Sequence, residues 1–325
     1  MDKVERLAQE RALRLFKLSP SEWAVNVQPL SGSPANLAVY VALVPQGGKI
    51  MGMTLSHGGH LTHGHKVSAT GKFWVQIPYG VDEKTEVLNY DVLKEIAMRE
   101  KPNIIVAGYT AYPRIIDFKK FRAIADSCQA ILMVDMSHFA GLVAGGVYSS
   151  PFLYADVVTT TVHKTLRGPR AAMIFSRKDS RELDKKIDKA VFPGLQGGPH
   201  LNQIAAVAVA LAEADRPAFK KYAKQVVKNA AALASELARL GWRIVSGGTD
   251  THLILVDTWN GGNPSTSLRA GGIGGKEASE RLEKAGIIVN KNTIPGDTRS
   301  PVDPSGIRLG TSAETTRGRK EKDFV

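Results

Sequence analysis

Three short, unbroken runs of apolar or β-branched residues constrain this chain more than any other feature: Ile104-Ile105-Val106-Ala107, Ile131-Leu132-Met133-Val134 and Val157-Val158-Thr159-Thr160-Thr161. None alternates polar with apolar residues. Each therefore predicts a strand covered on both faces, as in a parallel sheet with helices on either side. Helical stretches over 90–100 and 117–127 lie between and around these runs. An amphipathic helix over 2–17 precedes them, with Val4, Leu7, Ala8, Ala12, Leu15 and Phe16 on one side. This alternation, from about 25 to 215, reads as an α/β layer fold with a mostly parallel sheet.

A different pattern follows. Residues 216–241 form a long Ala-, Lys- and Leu-rich helical stretch closed by Gly241. Strands are predicted at Arg243-Ile244-Val245, at His252-Leu253-Ile254-Leu255-Val256 and at Gly306–Gly310, with a helix near 276–286. The break at Glu213-Ala214-Asp215-Arg216-Pro217 divides the chain into a large domain, 1–213, and a smaller α/β domain, 214–325. Asn260 to Gly275 is rich in Gly and Ser and reads as a flexible loop. A covering helix would ordinarily follow the last strand, so the small domain is expected to be incomplete.

Composition narrows the class. With 43% hydrophobic and 23% charged residues, the chain is globular. No segment approaches the roughly 20 consecutive apolar residues of a membrane helix, and the charged start has no signal-peptide core. The single cysteine, Cys128, excludes an internal disulfide and points to a reducing compartment, the cytoplasm. A net charge of +12 suits anionic ligands, or simply a solvated basic surface. The cations are spread out rather than interleaved with aromatics, so a nucleic-acid partner is not expected.

Four segments carry chemistry. In Asp156 to Pro169 a buried strand runs into a polar turn that presents Lys164. Ligands of open α/β sheets bind where strands end, and a desolvated lysine there can form a Schiff base with an aldehyde. An exposed lysine after a strand would look the same. In Ile131 to His138 a second buried strand ends in Asp135. That residue suits the ring nitrogen of pyridoxal 5′-phosphate (PLP), where a carboxylate keeps the nitrogen protonated; it also suits a turn or helix cap. Pro29 to Ala38 places Ser31, Gly32 and Ser33 before a helix, as a phosphate cradle or an ordinary turn. Leu55 to His65 holds four histidines, but Gly58-Gly59 breaks any helix and the spacing does not suit a metal, so no metal is assigned. The loop fits an imidazole brought against a flat ring, or a polar surface loop.

Together the strings SGSPAN, LSHGGHLTHG, VDMSHFAGL and TTTVHKTLRGPR, followed by VFPGLQGGP, VSGGTDTHLILVD, VNKNTIP and SGIRLGT, resemble serine hydroxymethyltransferase over roughly residues 4–320. The resemblance implies the type I PLP-dependent transferase fold. It also implies reversible transfer of the serine hydroxymethyl carbon to tetrahydrofolate, giving glycine and 5,10-methylenetetrahydrofolate. By resemblance Lys164 holds PLP covalently, Asp135 pairs with its ring nitrogen and His60 stacks on the ring. His138 lies near the ring oxygen and the substrate, and His163 helps to order the lysine. Ser31, Gly32 and Ser33 hold the phosphate, and Thr110 replaces a serine that bonds the cofactor. Gly197 and Gly198 match a loop that reaches the partner subunit's phosphate, which implies a homodimer with shared sites. Arg308 would clamp the serine or glycine carboxylate. Leu55, Gly59, His60, Leu61, Asn292, Arg299, Ser300 and Pro301 match folate-contacting positions.

The family's chains begin well before this Met1 and run on past Val325. The segment before Met1 carries the tyrosines and the glutamate that act at the substrate, and no residue here takes the glutamate's role. Residues 264–275 look like an insertion. A fragment of a longer gene, a trimmed chain and a divergent homologue all fit. The expectation is a chain that binds PLP and turns serine over poorly. Two other functions stay open: a folate-independent aldolase of β-hydroxy amino acids, and a non-catalytic binding homologue.

Overall fold

A computed structural model describes residues 2–260 and 272–325. Most of the expected loop between Asn260 and Gly275 lies outside the described residues. Seven strands form one sheet: β1 (Trp23–Asn26), β2 (Lys49–Met53), β3 (Val75–Tyr79), β4 (Ile104–Gly108), β5 (Ile131–Asp135), β6 (Val157–Thr161) and β7 (Ala172–Arg177). Their order is β1-β7-β6-β5-β4-β2-β3. Strands β2 to β6 run parallel, and β7 is antiparallel to both β6 and β1.

The unbroken apolar runs are explained by helices on both faces. The helices of this half are α1 (Asp2–Leu15), α2 (Gly32–Leu43), α3 (Ala69–Phe73), α4 (Tyr90–Glu100), α5 (Phe118–Cys128), α6 (Ala140–Ala144), α7 (Leu183–Lys189) and α8 (Leu201–Ala214). Ile105, Ala107, Leu132, Val134 and Val158 face a core shared with α1, α4, α5 and α8. Their neighbours Ile104, Val106, Met133 and Val157 face α2 and α7. Helix α5 shows how sequence sets this packing. Asp117 caps it by accepting the Lys120 N–H at 3.0 Å, and Phe118, Phe121, Ile124 and Ala125 form its buried stripe. Each fully buried phenylalanine contributes about 1.5–3 kcal/mol.

The period of two along the strands also orients the polar residues at their ends. Asp135 continues the face of Met133, and Thr159 and Thr161 continue the face of Val157. All three therefore point towards α2, at the carboxyl ends of the parallel strands.

The second sheet is antiparallel: β8 (Arg243–Ile244), β9 (Leu253–Asp257), β10 (Asn290–Asn292) and β11 (Gly306–Gly310), in the order β10-β11-β9-β8. Helices α9 (Pro217–Arg239), α10 (Gly275–Lys284) and α11 (Ser312–Thr316) belong to this half. Ile254, Val256 and Ile307 pack against Ala230 and Ala234 of α9 and Ala278 of α10. The other face, with Leu255 beside Ala111, Val245 and Ile294, turns towards the first sheet. The strand expected to reach Val245 stops at Ile244. Ser246 adopts φ 57°, and its N–H is drawn to the Glu86 carboxylate at 2.6 Å, which bends the chain. Arg114 fastens the same corner through Asp250 at 2.8 Å and the Ser246 carbonyl. No helix among the described residues is long and apolar enough to cross a membrane.

Candidate active site

Gly32, His60, Thr110, Asp135, His138 and Lys164 line one cleft at the carboxyl ends of β4, β5 and β6. The structure thus brings together residues that the sequence spreads over more than a hundred positions. Two larger hollows, of about 510 and 290 Å3, lie elsewhere and hold none of them.

Lys164 sits on a tight turn after β6, closed by bonds from the Arg167 N–H to the Lys164 carbonyl and from the Gly168 N–H to the Val162 carbonyl, both 2.9 Å. Burial lowers its pKa. Asp135 opposes this shift, and Arg308 and Arg170 add to it. A lysine with a lowered pKa holds more of the neutral amine that attacks an aldehyde.

Asp135 is almost fully buried and well solvated by the protein. Its Oδ2 accepts Asn36 Nδ2 at 2.8 Å and faces His63 Nε2 at 3.2 Å, and its Oδ1 accepts the Ser137 N–H at 3.1 Å. His63 Nδ1 accepts the His60 N–H at 3.4 Å, which assigns the His63 proton to Nε2, pointing at the carboxylate. Burial alone would raise the Asp135 pKa. The hydrogen bond from His63 and the nearby imidazoles outweigh it and hold the group well below the usual carboxylate range. Asn36 is fixed in turn, donating to Thr62 Oγ1 and accepting from Thr159 Oγ1, each at 2.8 Å.

The four histidines of the glycine-rich loop separate in space. His57 and His65 accept backbone N–H groups of Val81 and Val67. His60 and His63 lie within 4.8 Å of Asp135 in ligand-atom distance. Such a trio could attract a metal, but its atoms already serve hydrogen bonds: His60 Nδ1 accepts the Thr62 N–H at 3.2 Å and His63 Nε2 faces Asp135. Burial lowers the His60 pKa to about 4, so its ring is neutral near neutral pH. A Cβ on Gly59 would lie 1.9 Å from the Met53 carbonyl oxygen, so any side chain here would force the backbone to shift.

At the cradle, Ser31 precedes α2 with extended backbone and Gly32 opens the helix, leaving first-turn N–H groups free for an anion. A Cβ on Gly32 would come 2.7 Å from Thr161 Cγ2. Ser33 is exposed on the first turn. Gln196 binds this loop from the side, accepting the Leu30 N–H and donating to the Gln28 carbonyl. Gly197 and Gly198 follow it, and both face open space.

The second sheet contributes two residues. Arg308, on β11 opposite Leu255, donates to the Thr110 carbonyl at 2.8 Å and to Asn290 Oδ1 at 2.9 Å. His252, absent from the sequence-derived set, stacks on His138 with ring centroids 5.9 Å apart and planes 24° apart. Burial, with Arg308 and Lys164, lowers its pKa to about 3. Burial and the same two cations push His138 well below the usual range. Sequence reasoning also missed His63 and Asn36, although both lie inside the quoted strings.

Of the folate-matched positions, Leu55 and Leu61 lie on the two short 3-10 turns that flank Gly59. Leu61 is exposed, with 42% of its surface open. Asn292, Arg299, Ser300 and Pro301 do not line the cleft among the described residues. Arg299 stacks 3.8 Å from the Trp259 ring centre and pairs with Asp303.

The residues present fit PLP. Thr110 Oγ1 and His163 Nδ1 are buried without partners, leaving hydrogen-bonding capacity unused beside the cleft. An ionised carboxylate, a lysine of lowered pKa and a helix N-terminus complete a donor set for a phosphorylated aromatic aldehyde.

The serine hydroxymethyltransferase family model matches residues 1–325. A relative from Desulfotalea psychrophila named serine hydroxymethyltransferase is 53% identical over 325 residues, covering 100% of this chain and 72% of the relative. One of the same name from Koribacter versatilis is 53% identical over 323 residues, covering 99% and 72%.

Proposed function

This chain belongs to the serine hydroxymethyltransferase family, and from that premise we propose that Lys164 is the residue that binds PLP covalently. The family's reaction is the reversible transfer of the serine hydroxymethyl carbon to tetrahydrofolate, a PLP-dependent glycine hydroxymethyltransferase activity, and the chain is an enzyme of this class. The relatives' shared name speaks against the folate-independent aldolase.

When bound, PLP supplies an electron sink for negative charge on the substrate Cα. The protein's part is to hold and orient. Asp135, kept ionised by His63 and Asn36, holds a proton at the ring nitrogen. Ser31, Gly32 and Ser33 hold the phosphate, and Thr110 and His163 offer their unpartnered buried atoms to the remaining polar groups. His60, neutral and beside Asp135, covers the ring. Arg308 keeps donors in a planar fork that suits the carboxylate of serine or glycine. His138, also neutral, lines the cleft with Lys164, near enough to Lys164 and Arg308 to feel both charges, and can pass a proton without adding a third positive charge. Leu55, Gly59, His60 and Leu61, with Asn292, Arg299, Ser300 and Pro301, are the proposed folate contacts on the strength of the family resemblance alone.

The same proposal includes a homodimer, supported by the exposed Gly197-Gly198 loop tied to the phosphate cradle through Gln196. It also includes a division at 213/214, supported by the two separate sheets, and a cytoplasmic setting, supported by the single cysteine.

The observation that carries the reading is the approach of Lys164, of lowered pKa, to the buried, ionised Asp135 in one cleft. Adding PLP to the purified chain should give a visible band, trapped by borohydride on the Lys164 peptide and absent from Lys164→Ala. Serine or glycine should shift the band, and tetrahydrofolate should shift it again. Trapping on another lysine, or none, would remove Lys164 from this role.

A further inference from the structure

Two turns carry the groups on which the proposed function relies: 135–138 after β5 and 161–167 after β6. Hydroxyl groups lace them together. Ser137 Oγ accepts the Thr161 N–H at 3.0 Å. Thr165 Oγ1 donates to the His138 carbonyl at 3.0 Å and accepts the Gly141 N–H at 2.9 Å, where α6 begins. Thr165 is 2% exposed, and its single proton is committed to His138. The contact has no slack, since a Cβ on Gly141 would lie 2.2 Å from the Thr165 carbonyl oxygen. Thr165 immediately follows Lys164, and the carbonyl it holds is that of His138.

We infer that Thr165 is a positioning residue: its hydroxyl locks the turn presenting Lys164 against the turn presenting His138, and so fixes the approach of Lys164 Nζ to an aldehyde bound in the cleft. The inference rests on the reading of Lys164 above. The physical reason is leverage. A small rotation of the backbone at 164–165 is carried outward by the four-carbon lysine stem, and a displacement of about 1 Å at a reacting atom costs on the order of 100-fold in rate. Two hydrogen bonds from one buried hydroxyl to the 138–141 segment oppose that rotation. The competing role is purely structural, in which the hydroxyl stabilises the fold and leaves the lysine indifferent.

Thr165→Val keeps the shape and removes both bonds, whereas Thr165→Ser keeps the hydroxyl. The measurement is the first-order rate at which the visible band of lysine-bound cofactor forms at saturating PLP, read by stopped flow. Melting temperature and borohydride trapping on the Lys164 peptide are followed alongside. The expected result is capture at least tenfold slower in Thr165→Val and within twofold of the unaltered chain in Thr165→Ser. Capture at the unaltered rate in Thr165→Val, with only the melting temperature lowered, would overturn the inference, as would a Thr165→Ser variant as slow as Thr165→Val. Should Thr165→Val fail to fold, Thr165→Ala takes its place against Thr165→Ser: slow capture in Ala alone supports the inference, and equal rates overturn it. No capture by the unaltered chain would instead overturn the Lys164 assignment, and this inference with it.

Discussion

His63 offers the sharpest test of how this protein keeps Asp135 charged. The ring is fully buried, and its Nε2–H faces Asp135 Oδ2 at 3.2 Å. A hydrogen bond to a charged group contributes about 1.5–3 kcal/mol. Withdrawing the donor leaves the carboxylate with only Asn36 and the Ser137 N–H, in a site where burial favours the neutral acid. Asp135 would then tend to take the proton it should leave on the cofactor's ring nitrogen. His63→Asn removes the donor, while the longer His63→Gln reaches the former Nε2 position and restores it. At 1.4 kcal/mol per decade, the PLP dissociation constant should rise roughly 10- to 150-fold in His63→Asn. His63→Gln should recover most of that loss. The assay is a visible-absorbance titration with PLP near neutral pH, with melting curves of the cofactor-free chains to separate a general loss of stability. If His63→Asn binds PLP as tightly as His63→Gln and the unaltered chain, then Asn36 and Ser137 suffice and the reasoning fails.

Three further outcomes follow from the geometry. His252 has its pKa lowered to about 3, against an unfolded value of about 6.5. The unfolded chain therefore binds a proton that the folded chain refuses, and stability falls as pH drops from about 6.5 towards about 3. His252→Gln should flatten the pH dependence of stability between pH 6 and 5 by up to about 1.4 kcal/mol per unit in urea titrations, and an unchanged slope would contradict the buried neutral ring. Arg308→Lys exchanges a fork for a point charge. It should weaken serine and glycine, read from the spectral shift, by at least about tenfold with little change in PLP affinity; equal affinity would place the carboxylate elsewhere. In Gly59→Ala the new Cβ would meet the Met53 carbonyl oxygen at 1.9 Å. Overpacking of this kind costs about 1–3 kcal/mol, so calorimetry should show a lower melting temperature, and an unchanged one would mean that the loop can move.

The first sheet was legible because its central strands are covered on both faces. Burial on both sides forces unbroken apolar runs, and a polar residue at the end of such a run is a candidate for chemistry as well as for a cap or turn. That logic points to Asp135 and to Lys164, three residues past Thr161, and the fold brings both into one cleft. The period of two carries it further: Arg308, between Ile307 and Leu309, must face away from the helices of the second sheet. That this other face meets Thr110 depends on how the two sheets dock, which no local pattern encodes. Local geometry also hid the end of β8, where Ser246 turns left-handed under the pull of Glu86.

Asn36 and His63 were hidden for a different reason. Both stand in segments that the sequence marks as chemically rich, but their task is to solvate another residue's charge. Asn36 is a polar residue on the mostly apolar helix α2, and its Asp135 partner lies 99 positions away. His63 is one of four histidines, and only the pair of 3-10 turns around Gly58 and Gly59 decides which of them turns inward. A buried carboxylate that must stay ionised needs such partners, because an uncompensated buried charge costs several kcal/mol. Wherever a sequence suggests a buried acid with a chemical role, its polar partners should be sought on the helix that covers the same sheet face; here that rule leads from Asp135 to Asn36 of α2, and through Thr62 to the loop that carries His63.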